Sequence, residues 1–180
     1  MNKLFKILVM SMAVFSTVFL AAGCSAEDGM TAQQTAEASK FPAFKTVDTN
    51  GNTVTQDIFK GKKVTVVNIW GTFCPPCIGE MPELGAWARE MPQDAQIIGL
   101  ICDAEGSGDK KTTAAAVKIL KEANAGFVNI LPSEELLKYL ENVEAVPTTI
   151  FVDSEGNIIG EKVVGADVNK YKTLLTRYLK

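Results

Sequence analysis

Seven mostly β-branched and apolar residues, Val64-Thr65-Val66-Val67-Asn68-Ile69-Trp70, run into the tetrapeptide Cys74-Pro75-Pro76-Cys77, and this junction constrains the chain more than any other feature. A run of that kind suits a central strand buried on both faces. Two prolines directly after Cys74 suit the first turn of a helix, where a missing N–H has no intrahelical partner to lose. The sequence thus predicts a strand, a short turn and a helix continuing to about Glu90 with a distortion at Pro82. It places two thiols three residues apart at the start of that helix.

That placement has chemical consequences. The sulfur of Cys74 faces the free N–H groups and the positive end of the helix, which favour thiolate over thiol and so favour the attacking species in disulfide exchange. Cys77, one turn further in, is the expected resolving thiol that releases a mixed disulfide formed by Cys74. Three other uses of such a pair compete with this one. Structural zinc needs two more ligands, and with no histidine in the chain Cys24 and Cys102 offer no second pair. Haem attachment needs histidine at position 78, where Ile78 stands. An inert structural disulfide is the third. The lack of histidine also excludes Ser-His-Asp and Cys-His catalysis, and no metal or cofactor is expected.

Around this junction the chain alternates short apolar runs with turn signals. Phe44 to Val47 and Thr53 to Thr55, joined through Asp48-Thr49-Asn50-Gly51, predict a β-hairpin. Gln96 to Cys102 predicts a second buried strand, Asp109 to Ala123 a second main helix, Phe127 to Leu131 a short strand and Ser133 to Tyr139 a helix. Thr148 to Val152 and Ile158 to Val164 predict an antiparallel hairpin, and Asp167 to about Leu179 a terminal amphipathic helix. Helices interleaved with buried strands imply an α/β three-layer domain with a central mixed sheet and an added N-terminal hairpin, over residues 41–180. An apolar fraction of 47% in 180 residues is ample for one such core. A net charge of -3, with scattered Lys and Arg, argues against nucleic-acid binding.

The first forty residues follow another logic. Lys3 and Lys6 precede an apolar run from Ile7 to Ala22, the layout of a secretory signal over residues 1–23. Leu20-Ala21-Ala22-Gly23-Cys24 resembles a bacterial lipobox, which implies cleavage before Cys24 and lipidation of its sulfur. A plain secretory signal with a stray thiol and an uncleaved anchor are the alternatives. Residues 24–40, poor in large apolar side chains, read as a flexible tether between membrane and domain.

Trp70-Gly71-Thr72-Phe73-Cys74-Pro75-Pro76-Cys77 with Glu80-Met81-Pro82, followed far downstream by Val146-Pro147-Thr148-Thr149, resembles the active-site signature of TlpA/ResA-like thioredoxins. Phe73 stands where that family usually has tryptophan. The resemblance covers about residues 41–180 and implies a thioredoxin-like fold, with a cis proline at Val146-Pro147 beside the disulfide. It implies a substrate groove formed by Phe73, Pro75, Pro76, Val146 and Pro147, in which an extended strand pairs mainly with backbone; Trp70 and Trp87 are expected packing residues, with Trp70 also flanking that groove. Thioredoxins proper carry aspartate six residues before the first cysteine, where Asn68 stands here. Glu80 is then the nearby carboxylate able to relay the proton of the pair, through a pKa raised by burial, or else a solvated glutamate favouring the helix dipole.

The resemblance further implies a thiol-disulfide oxidoreductase, held by its lipid on the extracytoplasmic face of the bacterial cell membrane. Disulfide-containing or dithiol proteins are the expected substrates, and a membrane electron carrier the expected source of electrons. A reductase is the first expectation, and an oxidase forming disulfides in exported proteins is the alternative. A peroxiredoxin fits less well, because Thr72 lies two residues from Cys74 and no arginine is near. A non-catalytic lipoprotein binding module is the remaining class. Cys102, ending a strand, is expected to be a buried structural thiol, with an approach to the site as the alternative.

Overall fold

The computed structural model describes residues 39–180; the signal segment 1–23, Cys24 with its expected lipid, and nearly all of the tether lie outside the described residues. Strands β1 (Lys45–Val47) and β2 (Thr53–Thr55) form the N-terminal hairpin. Then come β3 (Val64–Trp70), α1 (Pro75–Glu90), β4 (Ala95–Ile101), α2 (Lys110–Glu122), β5 (Val128–Ile130) and α3 (Glu134–Leu140). The chain closes with β6 (Thr148–Asp153), β7 (Ile158–Val164) and α4 (Val168–Tyr178). A short 3-10 turn over Gln56–Phe59, not foreseen from the sequence, links β2 to β3 and buries Phe59. Helix α1 passes through Pro82 without a break.

Five strands form one mixed sheet in the order β5-β4-β3-β6-β7. Strands β3, β4 and β5 run parallel, and β6 is antiparallel to both of its neighbours, β3 and β7. Central β3 is buried at all seven positions, as its composition required. The side chains of Val64, Val66 and Trp70 pack with Ala95, Ile97 and Ile101 beneath α1, α2 and α4. On the other face Val67, Ile69, Ile98 and Leu100 meet Leu136 of α3 and the aromatic group Phe41, Phe44 and Phe59. Those three rings meet edge to face at 5.6 to 6.2 Å, an arrangement favoured by the ring quadrupoles.

The N-terminal hairpin caps the open edge of β5, which would otherwise offer unpaired backbone groups to other chains. Thr49 N–H donates to the Asn129 carbonyl and Leu131 N–H to the Val47 carbonyl, and the Thr46 hydroxyl reaches the Leu131 carbonyl at 2.6 Å. The result is a three-layer α/β domain whose central strand ends at the cysteine pair. Among the described residues no helix is long and apolar enough to cross a membrane.

Candidate active site

Cys74 and Cys77 form a disulfide across the start of α1, with Cα atoms 5.3 Å apart. Cys74 is the N-cap of that helix, and its sulfur accepts the Cys77 N–H at 3.3 Å. A sulfur there occupies the place where a capping oxygen usually neutralises the free N–H groups, so a charge on it is stabilised by the same donors. Pro75 and Pro76 supply the first turn and are exposed. The disulfide is nearly closed to solvent: Cys74 is 4% exposed and Cys77 0%. What access exists is therefore to Cys74.

Opposite the disulfide, the Val146-Pro147 peptide bond is cis. The Val146 carbonyl oxygen lies 3.6 Å from Cys74 Sγ, so the two motifs, 72 residues apart in sequence, meet at one sulfur. Val146 is half-buried and Pro147 buried. Phe73 is 68% exposed beside the pair, a large apolar ring left on the surface.

Trp70 requires a correction. The sequence reading expected it to pack and also to flank the substrate groove; it is 0% exposed, and its indole N–H donates to Asn129 Oδ1 at 2.8 Å, so only the packing expectation holds. The last residue of a strand buried on both faces has no surface to offer a substrate. Its role is packing, and the hydrogen bond satisfies the polar end of a buried indole.

Glu80 lies inside the protein, 6% exposed. Asn68 Nδ2 donates to its Oε1 at 2.8 Å and also to Thr149 Oγ1 at 3.1 Å, while the Tyr171 hydroxyl lies 3.1 Å from its Oε2. Burial pushes the carboxyl up to about 7, because a carboxylate loses its hydration there; the contacts from Asn68 and Tyr171 partly oppose this, and nearby Glu83 adds to it. The group can thus hold or yield a proton near neutrality, unlike a solvated first-turn glutamate. Cys77 stands three residues before it on the same side of α1.

Two groups of participants, three residues in all, escaped the sequence reading. Tyr171 and Thr149 complete the surroundings of Glu80 from α4 and β6. The spacing of Val168, Tyr171, Leu174 and Leu175 marks Tyr171 as inward-facing, but nothing local names its partner 91 residues away. Asp103 is the other, accepting the Thr72 N–H at 3.0 Å and the Thr72 hydroxyl at 2.5 Å. Cys102, the one free cysteine among the described residues, is half-buried, and burial together with adjacent Asp103 pushes its thiol up to about 11. Such a thiol is a poor nucleophile at neutral pH. Among the described residues no group of three or more His, Cys, Asp or Glu could hold a metal ion. A surface groove of about 620 Å³ is lined by Arg89 and Gln93 at the end of α1 and by Asn124 and Phe127 before β5, and neither cysteine borders it.

Comparison with known proteins places this geometry in context. The profile of the family described as Redoxin matches residues 36–175. The chain is 29% identical over 124 residues to the thiol-disulfide oxidoreductase ResA of Bacillus subtilis, covering 68% of this chain and 65% of that protein. It is 35% identical over 128 residues to the thiol:disulfide interchange protein DsbE of Pseudomonas aeruginosa, covering 69% and 64%. Both matches thus span slightly less than two thirds of the relative's length. Among solved structures, the thioredoxin domain of a thiol-disulfide oxidoreductase from Bacteroides vulgatus superposes with a TM-score of 0.63 at 23% identity, covering 78% of this chain and 96% of that one. A thiol-disulfide isomerase from Corynebacterium glutamicum gives a TM-score of 0.64 at 23% identity, covering 80% and 97%. The fold is thioredoxin-like.

Proposed function

Because the chain belongs to the Redoxin family, we propose that it is a thiol-disulfide oxidoreductase that exchanges disulfides with protein substrates through Cys74 and Cys77. The observation that carries this reading is the disulfide at the mouth of α1, with the Cys74 sulfur on a helix N-terminal N–H and the Val146 carbonyl 3.6 Å away. The names of the relatives, a thiol-disulfide oxidoreductase and a thiol:disulfide interchange protein, support it.

In the reducing direction the cycle starts from the dithiol. The Cys74 thiolate attacks a substrate disulfide, forming a mixed disulfide and releasing one substrate thiolate. Cys77 then attacks the Cys74 sulfur, which closes the disulfide seen in the structure and releases the second substrate thiolate. Two electrons pass from the protein dithiol to the substrate. Glu80, poised near neutrality, takes the proton that Cys77 must lose. Exposed Phe73, Pro75 and Pro76 and the half-buried Val146 form the docking surface, where an extended substrate segment pairs with the backbone at Val146.

The protein works as a reductase on the extracytoplasmic face of the membrane, fed by a membrane electron carrier. It is anchored there by lipid on Cys24 once the signal over residues 1–23 is removed, with residues 24–40 as tether. The lipobox-like segment ending at Cys24 supports the anchor.

Two measurements test the proposal. With insulin as a disulfide probe, reduced Cys77→Ser protein accumulates a covalent adduct through Cys74, and Cys74→Ser forms none. An adduct in neither variant refutes the exchange chemistry. Equilibration of the pair against dithiothreitol and glutathione series decides direction: a potential near the thioredoxin value of about -270 mV supports the reductase, and one near about -120 mV turns the reading to an oxidase.

A further inference from the structure

The hydroxyl of Tyr171 has more neighbours than one proton can serve. Its oxygen lies 2.7 Å from the Gly165 carbonyl oxygen and 3.1 Å from Glu80 Oε2, and it accepts the Asp167 N–H at 3.3 Å. A phenol carries one proton, and a carbonyl can only accept. The short contact to Gly165 therefore takes the tyrosine proton, and the longer contact to Oε2 is then satisfied by a proton on the carboxyl. When Glu80 is a carboxylate the demand reverses. Oε2 requires a donor, and the Tyr171 proton is the one within reach on that side.

We propose that Tyr171 is a positioning residue for Glu80, its hydroxyl proton pointing at the Gly165 carbonyl while Glu80 is an acid and turning to Oε2 when Glu80 ionises. The inference rests on the reading of Glu80 as the proton group of the exchange. The proton stays on the tyrosine throughout and only its direction changes, in keeping with a phenol that burial pushes up to about 12. The other carboxylate oxygen does not take part, since Oε1 is held by Asn68 Nδ2.

The remaining surroundings leave this assignment to Tyr171. On α1, Glu80 follows Cys77 by three residues and feels the charge of Glu83, which Lys172 of α4 engages at 2.8 Å on the surface. From β3 comes Asn68, whose Oδ1 has no partner among the described residues, and from β6 Thr149, which faces Tyr171 and accepts from Asn68. The Asp167 carboxylate is turned to its own helix, accepting the Lys170 N–H. The terminal helix thus sets the pH at which the group beneath the active pair changes state, by offering the carboxylate a donor that costs the Gly165 carbonyl its own. Glu80→Gln mimics the acid form, because a side-chain NH₂ at the Oε2 position can donate to Tyr171 as the protonated carboxyl does.

The test is carbon-13 NMR of the full-length oxidised protein, following the Glu80 side-chain carboxyl and the Tyr171 ring carbon that bears the hydroxyl. In the wild type both signals inflect at one pH, and in Glu80→Gln the Tyr171 signal is flat over the same range. Tyr171→Phe raises the Glu80 midpoint by about one pH unit, the value of one lost hydrogen bond to a charged group. A flat Tyr171 signal while Glu80 titrates in the wild type overturns the proposal, and so does an unmoved Glu80 midpoint in folded Tyr171→Phe. If that variant does not fold, the wild-type and Glu80→Gln spectra still decide. The pH profile of disulfide exchange separates the two readings: a profile unchanged by Glu80→Gln refutes Glu80 as the proton group, whereas the spectra alone judge Tyr171.

Discussion

Both carboxylate oxygens of Asp103 are engaged by Thr72, one by its backbone N–H at 3.0 Å and the other by its hydroxyl at 2.5 Å. This clamp fastens the turn that carries Phe73 and Cys74 to the segment leaving β4. It exists because β3 and β4 run parallel in register, with Trp70 beside Ile101, so that the residues just past both strand ends fall together. A parallel pair thus supplies the turn with a partner that no local interaction could.

Asp103→Ala removes two acceptors from a partly buried site and is expected to cost about 1 to 3 kcal/mol of stability, as read from denaturant midpoints. The Thr72 amide is expected to exchange its hydrogen at least about tenfold faster, since about 1.4 kcal/mol of local opening energy is a factor of ten. An amide as slow as in the wild type would show that the turn is held by other contacts.

The pH dependence of stability follows from Glu80. Its carboxyl titrates at about 7 in the folded protein against an ordinary value of 4.5. Between these values the native state binds more protons than the unfolded one, so stability falls as pH rises from 4.5 to about 7 and is flat with respect to this group on either side. Glu80→Gln keeps the neutral shape at every pH and is expected to abolish that fall, so the variant gains on the wild type above neutrality. Denaturation midpoints at a series of pH values check it, and parallel curves for the two proteins would contradict it.

Gly99 is a third point of sensitivity. A Cβ there would stand 1.9 Å from Asn129 Oδ1 and 2.9 Å from Trp70 Nε1, in the space of the hydrogen bond between those two groups. Gly99→Ala must displace Asn129 and leave the buried indole N–H without its acceptor. Overpacking and an unsatisfied donor together are expected to cost about 2 kcal/mol or more. A lowered thermal midpoint with a change in Trp fluorescence is the expected outcome; an unchanged midpoint would show that β4 and β5 accommodate the methyl.

The sequence by itself determined most of what depends on neighbours along the chain, the 3-10 turn over Gln56–Phe59 apart. The β-branched run Val64–Trp70, the prolines after Cys74 and the turn residues of the hairpins dictated where strands and helices form, because period and turn chemistry are local properties. The same locality placed Cys74 and Cys77 at a helix start. Tertiary structure decided what these elements bring to one another: Val146 to Cys74 across 72 residues, Thr149 to Asn68 across 81 and Tyr171 to Glu80 across 91. It also decided that Trp70, expected to pack, has no edge left for the substrate groove, since exposure at a strand end depends on what packs over it. The physical reason is that backbone geometry follows from short-range sterics and hydrogen bonding, whereas the burial that moves a pKa or hides a side chain is set by the chain as a whole.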